Sequence, residues 1–365
     1  MTEEMEQVAD VTRRLEAIRA RLNEEGLDAL LVQSAVNRRY LSGFTGSAGA
    51  LVISPERAWI FVDFRYVEQA KAEAPAFELV QFDAFLPRLR EVFQSAGIER
   101  VGFEAAHVSV AASKSLEREL PDVDWTPTVN WVETARGIKE PEELATMQQA
   151  IDLADEAFEH ILGYLEPGRT EKEIALELEF YMRRRGAERL AFATIVASGP
   201  NGALPHAVPT DRELQRGDLV TLDFGCVVDG YASDLTRTVA IGELDGRGRE
   251  LYELVLRAQL AGIQGVRPGR LGKEVDADAR SVIAQAGYGE HFGHGLGHGV
   301  GLEVHEEFPR LSTRGEVELE PGMVCSVEPG VYIPGWGGIR IEDLVVVTSD
   351  GCRVLSRSSK ELLII

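Results

Sequence analysis

RGDLVTLDFG, residues 216–225, and PGMVCSVEPG, residues 321–330, share one pattern: a turn glycine, an apolar strand, a carboxylate, one residue and a second glycine. Asp223 and Glu328 hold the same place in the two copies. Each copy continues through a turn into a returning strand with a second carboxylate, Asp234 after VVDGYAS and Glu342 after YIPGWGGIRI. Asp229-Gly230 is a two-residue hairpin signal. A turn centred there puts Asp223 opposite Thr236 and makes Asp234 its diagonal neighbour on the same face. In the second copy a turn near Gly335 puts Glu328 about opposite Glu342. Same-face neighbours of this kind lie roughly 5–8 Å apart.

Like charges this close cannot all stay ionised without a compensating cation. One such pair, in a chain with 60 acidic residues, reads as solvated surface acids. Two pairs at matched places in a repeat, with Asp223 and Glu328 ending apolar strands, point instead to a bound cation. Between the copies lies HFGHGLGHGVGLEVHEE, His291–Glu307, which holds four of the seven histidines. Glycine falls on every second position from Gly293 to Gly301, an extended pattern of period two. His294, Leu296, His298, Val300 and Leu302 then share one face, and the glycine face lets a neighbour pack on the main chain. A histidine from this run completes a set of two Asp, one His and two Glu. Carboxylate oxygens with one imidazole suit manganese, cobalt or zinc. Two such ions ~3.5–4 Å apart can activate a shared water as nucleophile.

The chain has 365 residues, enough for two domains. A formal charge of -22, with no long basic block, argues against nucleic acid or an anionic membrane surface as a partner. The N-terminus MTEEMEQVADVTRR has no apolar signal region, and no run is long enough to span a bilayer. Three widely separated cysteines, Cys226, Cys325 and Cys352, do not suggest a disulfide scaffold. Together these features predict a cytoplasmic protein with reduced thiols.

Residues 2–25 pattern as an amphipathic helix with Val8, Val11, Leu15, Ile18 and Leu22 on one stripe. Strands are expected at 27–32, 49–54, 58–64, 77–82 and 100–105, with helices at about 85–96 and 110–119. This alternation predicts an α/β domain over residues 1–130. NRRYLSGFTGSAG reads as a loop and turn; without a Lys-Ser/Thr ending it is no phosphate loop. A proline-bearing stretch, 121–132, marks the boundary to a second domain at 131–365. Pro141 opens a long helix and Thr170 with Glu173 forms a capping box for another. Further helices at about 246–264 and 272–286, with strand-rich stretches at 190–241 and 317–348, give this domain an α+β character.

At these residues the chain resembles the pita-bread metallopeptidases: methionine aminopeptidase, aminopeptidase P, prolidase and the metal-free creatinase. The motifs are LDFGCVVDGYASDLTRT, HGLGHGVGLEVHE, VEPGVY and GIRIED, and the first domain resembles the creatinase-type N-terminal domain. The resemblance implies two metal ions held by Asp223, Asp234, His298, Glu328 and Glu342, with Glu328 also the general base. It implies that His206 and His305 move or stabilise protons at the scissile bond and that His294 stands beside the metals. Tyr332 and Arg340 match substrate-pocket residues. His291 takes no role; His107 and His160 are structural or exposed; Cys226 and Cys325 pack rather than react. The intact ligand set fits the creatinase branch poorly and argues against a non-enzymatic peptide-binding relative. The first domain's likeness to small bacterial aminopeptidase P predicts an Xaa-Pro aminopeptidase acting on peptides with proline second, with prolidase as the alternative. A homodimer is the usual assembly of this family.

Overall fold

The computed structural model describes residues 3–365, with side chains from residue 11 onward. Two compact units result, one ending at Arg136 and the other spanning Gly137–Ile365. In the first, helix Glu3–Glu25 buries Val11, Leu15, Ile18 and Leu22, a stripe of helical period. The Val8 side chain lies outside the described residues.

Strands Ala29–Val32, Ala50–Ile53, Ala58–Val62, Glu78–Gln81, Arg100–Glu104 and Asp124–Thr128 form one sheet, ordered fourth, third, second, first, fifth, sixth. The second strand pairs antiparallel with the first and third, while the remaining neighbours are parallel. Helices Val67–Glu73 and Val110–Glu119 supply crossovers that parallel neighbours require. One expectation fails here. Residues 37–42, read as loop, belong to the helix Ala35–Ser42, with Asn37 N donating to the Ser34 hydroxyl and Gly43 ending it at φ 80°. Its buried face includes Asn37 and Arg38, so no apolar period marks it in the sequence. Arg38 donates through Nη1 to Gln33 O and through Nη2 to Gly46 O at 2.8 and 2.9 Å, which offsets part of the cost of burying it.

In the second unit Pro141 is the first residue of helix Pro141–Leu162, where a missing N–H leaves no bond unmade. Thr170 and Glu173 cap helix Glu171–Arg184 reciprocally: Glu173 N donates to Thr170 Oγ1 and Thr170 N to Glu173 Oε2. These two helices pack Phe158, Leu178 and their neighbours against strands Ile195–Ser198, Leu219–Phe224 and Leu235–Ala240. Helices Gly246–Gly265 and Gly272–Gln285 do the same, through Val255 and Ile283, for strands Val324–Val327 and Asp343–Val347. The echo seen in the sequence is therefore larger than a hairpin. Each half is a helix pair backing a carboxylate-bearing hairpin.

Between His291 and His305 the Gly/His run is extended only over Gly297–Gly299, and its register shifts between His298 and Gly299. Leu296 joins the core around Val255, whereas Val300 joins a separate cluster with Met147, so the expected single face breaks. Its glycines do admit close neighbours: a Cβ on Gly297 would stand 1.9 Å from Ser326 O. Cys226 and Cys325 are fully buried, and burial pushes their thiols up to about 11 and about 12. No described helix is long and apolar enough to cross a membrane.

Candidate metal centre

Strand Leu219–Phe224 pairs antiparallel with Leu235–Ala240, and Asp223 stands opposite Thr236. The Asp229-Gly230 turn, with φ 42° and 77°, has the two positive values of the hairpin type that follows the sheet twist. Asp234 thereby falls beside Asp223. In the second hairpin Val327 faces Asp343 on one side of a gap and Gly330 faces Arg340 on the other. Both ladders keep one register, which sets Glu328 opposite Glu342.

The hairpins are stitched to one another along Thr236–Thr238. Glu342 N donates to Thr236 O at 3.1 Å, and Arg340 N donates to Thr238 Oγ1 at 3.1 Å. Thr236 Oγ1 donates to Glu342 Oε2 at 2.8 Å. Each of Asp223, Asp234 and Glu342 offers an oxygen within 4.8 Å of the other two. His298 Nε2 completes the group, 3.3 Å from Glu328 Oε1 and 3.6 Å from Asp234 Oδ2. Ser326 Oγ holds this corner: it accepts from His298 N at 3.0 Å and donates to Glu328 Oε1 at 3.1 Å.

Burial, reinforced by repulsion from neighbouring carboxylates, raises Asp234 and Glu342 well above the usual carboxylate range. Asp223 is raised for the same leading reason, although Arg340 Nη2 donates to its Oδ2 at 2.5 Å. Glu328 behaves oppositely. Burial would raise it, but the His298 hydrogen bond and charge hold it down at about 2. His298, which burial alone would lower, is lifted to about 9 by Glu328. Arg340 is 4% exposed; its Nη1 also donates to Tyr332 OH at 2.8 Å, and its Nε to Thr236 Oγ1 at 3.2 Å.

An open cavity of about 730 Å³ lies over the carboxylates. His206, His294 and His305 all line it, with His294 Nε2 2.8 Å from Tyr332 OH and the His305 ring tilted at 47° to that of His298, their centroids 4.2 Å apart. Burial lowers His294 and His305 below the usual imidazole value. All ten expected site residues therefore line one cavity. His291 reaches Tyr332 O through Nδ1, and His160 pairs with Glu177 on the helix pair. Three contributors went unnoticed in the sequence. Thr236 and Ser326 orient ligand candidates, and their only signal is a hydroxyl in strand alternation with an acid. Arg310 stands opposite His298 in the ladder and lines the cavity with its side chain 60% exposed. Only the pairing of strand Glu306–Leu311 with Gly297–Gly299 brings it there.

The Metallopeptidase family M24 model matches residues 145–349, and the Creatinase/Prolidase N-terminal domain model matches residues 14–138. The chain is an M24 metallopeptidase. It belongs to the Xaa-Pro dipeptidase and aminopeptidase P branch, behind a creatinase-type N-terminal domain. An Xaa-Pro dipeptidase of Pyrococcus furiosus is 37% identical over 96% of this chain and 99% of its own. The solved structure of an Xaa-Pro dipeptidase from Bacillus anthracis is 44% identical, with TM-score 0.95 over 97% of this chain and 100% of that one. An X-Pro aminopeptidase from Thermotoga maritima is 37% identical, with TM-score 0.88, covering 93% of this chain and 98% of that chain. The activity of an Xaa-Pro metallo-exopeptidase follows from the family.

Membership of M24 implies divalent metal ions, and the residues here fit them. Asp223 Oδ1 is buried with no hydrogen-bond partner, an oxygen lacking the cation or donor that burial demands. Asp234 and Glu342 are raised first by burial and then by the neighbouring carboxylates, and a bound cation would relieve both.

Proposed function

We propose that the protein is an Xaa-Pro dipeptidase, a prolidase, which splits the bond between an N-terminal residue and a C-terminal proline. This reverses the order expected from the first domain's likeness to small aminopeptidases. Two of the three relatives described above carry the dipeptidase name, which supports the change. The observation that carries it is Arg310. Of the two guanidinium groups lining the cavity, Arg340 is enclosed and committed to Asp223 and Tyr332. Arg310 is exposed at the cavity wall, its side chain held among the described residues by Glu307 alone, and so can exchange that partner for a dipeptide's free carboxylate. Proline suits such a site because its amide lacks an N–H and bends the chain.

In this reading Asp223, Asp234, His298, Glu328 and Glu342 hold two divalent ions, manganese, cobalt or zinc. When bound, these supply Lewis-acid polarisation of the scissile carbonyl and acidify the attacking water. Glu328 accepts the proton of that water. In the metal-free site the His298 charge keeps Glu328 at about 2. Ligation requires a neutral His298, and the bound cations would take over from its charge in keeping Glu328 ionised, the form that accepts a proton. His305 and His206 face the same cavity and donate to the tetrahedral oxygen and the departing proline nitrogen, the His305 ring being biased toward neutrality by burial. His294 steadies Tyr332, and Tyr332 with Arg340 fixes the Asp223 side of the site. The assembly carried with this reading is a homodimer.

Hydrolysis of Xaa-Pro and Xaa-Pro-Xaa peptides, compared with defined metals added to apo-protein, tests the proposal. Dipeptides should have a kcat/KM at least about tenfold higher. Arg310→Ala should raise KM for dipeptides and leave tripeptides little changed. A preference for tripeptides would make the enzyme an aminopeptidase P.

A further inference from the structure

His206 lines the cavity from an exposed turn, yet its ring makes no hydrogen bond to any described residue. Its position is therefore set by the backbone of the segment it sits on, residues 199–209. One side chain closes both ends of that segment. Glu171, the first residue of helix Glu171–Arg184, is fully buried. At the entry, Ser198 N and Oγ both donate to Glu171 Oε1 at 2.7 Å. At the exit, Thr210 N and Oγ1 donate to Oε2 at 2.9 and 2.6 Å. Asn201 Nδ2, inside the segment, reaches both oxygens at 3.1 Å. Burial alone would raise this carboxyl, but the Thr210 and Ser198 hydrogen bonds hold it below its usual range, so it stays ionised.

The stapled segment is also pressed against the hairpin that carries Arg340. A Cβ on Gly338 would stand 1.9 Å from Gly202 O, so only glycine allows the two backbones to meet there. Arg340 Nη1 donates to Pro205 O at 3.3 Å, one residue before His206. Ser198, the other end of the staple, pairs in register with Val220 on the strand that carries Asp223.

We infer that Glu171 is a positioning residue for His206: by tying Ser198 to Thr210 it sets where the imidazole stands over the scissile bond. The inference rests on the proton-handling reading of His206 given above. Glu171→Gln keeps the shape but turns one set of donors toward an amide N–H, which opens one end of the staple.

The test is a double-mutant cycle on the metal-loaded full chain, joined to hydrogen exchange of residues 199–209 and to metal analysis. Glu171→Gln should lower kcat/KM by about tenfold or more, with KM moving less than kcat and metal content unchanged. In a His206→Ala background the same change should cost less than about twofold, since the residue acts through the ring already removed. Amides of 199–209 should exchange faster in Glu171→Gln while those of strand Leu219–Phe224 do not. Should Glu171→Gln fail to fold, Asn201→Ala removes the inner tie alone and is read in the same way. Effects of Glu171→Gln and His206→Ala that simply multiply, or a segment whose exchange is unchanged, overturn the positioning role. Wild-type turnover in His206→Ala alone would instead refute the reading of His206, and the inference with it.

Discussion

Thr236→Val removes one hydroxyl from behind the carboxylates and changes little else in shape. That hydroxyl is fully buried, donates to Glu342 Oε2 at 2.8 Å and accepts from Arg340 Nε at 3.2 Å. The two bonds weigh differently on the metal-free and metal-bound protein. Without metal, Glu342 is raised well above the usual range and readily holds a proton, so the Thr236 donor gains little from it. With a cation bound Glu342 is ionised, and a hydrogen bond to a charged group is worth about 1.5–3 kcal/mol. Valine should therefore weaken metal binding by roughly 10- to 100-fold, the range seen when partners of metal ligands are lost. The orphaned Arg340 Nε adds a further loss of about 1–3 kcal/mol in both states. Titration calorimetry with Mn²⁺ at fixed pH, alongside denaturant unfolding of the apo-protein, separates the two effects. Wild-type metal affinity in a destabilised Thr236→Val protein would show that Thr236 serves the fold alone.

The metal-induced rise in Tm should grow with pH. Asp234 and Glu342 are raised in the folded state, so what they contribute to apo-protein stability is complete below about pH 4 and is lost as pH climbs through their folded values. His298, lifted to about 9, runs in the same direction from about 6.5 upward, whereas Glu328 titrates below this window. An equal Tm gap at pH 5 and pH 8 would contradict this linkage. Behind the site, Asp343 accepts from Arg237 at 2.7 Å, Lys360 at 2.7 Å and Gln259 at 2.9 Å, with Arg237 and Asp343 each 1% exposed. Asp343→Ala leaves the Arg237 charge buried without its partner and should cost about 3–5 kcal/mol in denaturant unfolding. A loss below about 1 kcal/mol would mean that water reaches Arg237.

What the sequence reveals here is whatever is written locally. The Asp229-Gly230 turn is enough to place Asp223 opposite Thr236, because a two-residue hairpin leaves only one register. Pro141 and the Thr170–Glu173 box mark helix starts for equally local reasons. The helix Ala35–Ser42 escapes notice because its interior face mixes Asn37, Arg38 and Ser42 with Tyr40 and Leu41, and the polar members bond to distant groups such as Gly46 O. The Gly/His run misleads for a different cause. Its alternation is genuine, but a register shift after His298 divides its apolar residues between two cores. Thr236, Ser326 and Arg310 acquire meaning only through partners far along the chain, which no window of sequence contains.

The stitching of the two hairpins also bears on when the chain can first capture a metal. Thr236 and Glu342 are 106 residues apart, and Arg340 lies 117 residues from Asp223. On the proposed ligand set, the acids of each half form no cage until the other half has docked. Such distant contacts close late in folding, after the local helix pairs have formed. A nascent chain that has emerged only through its first hairpin thus presents a pair of aspartates with no partner glutamates and cannot hold the ion tightly. On the proposed ligand set, tight metal binding is expected only after release of the C-terminal half, when the ion would latch two hairpins already docked.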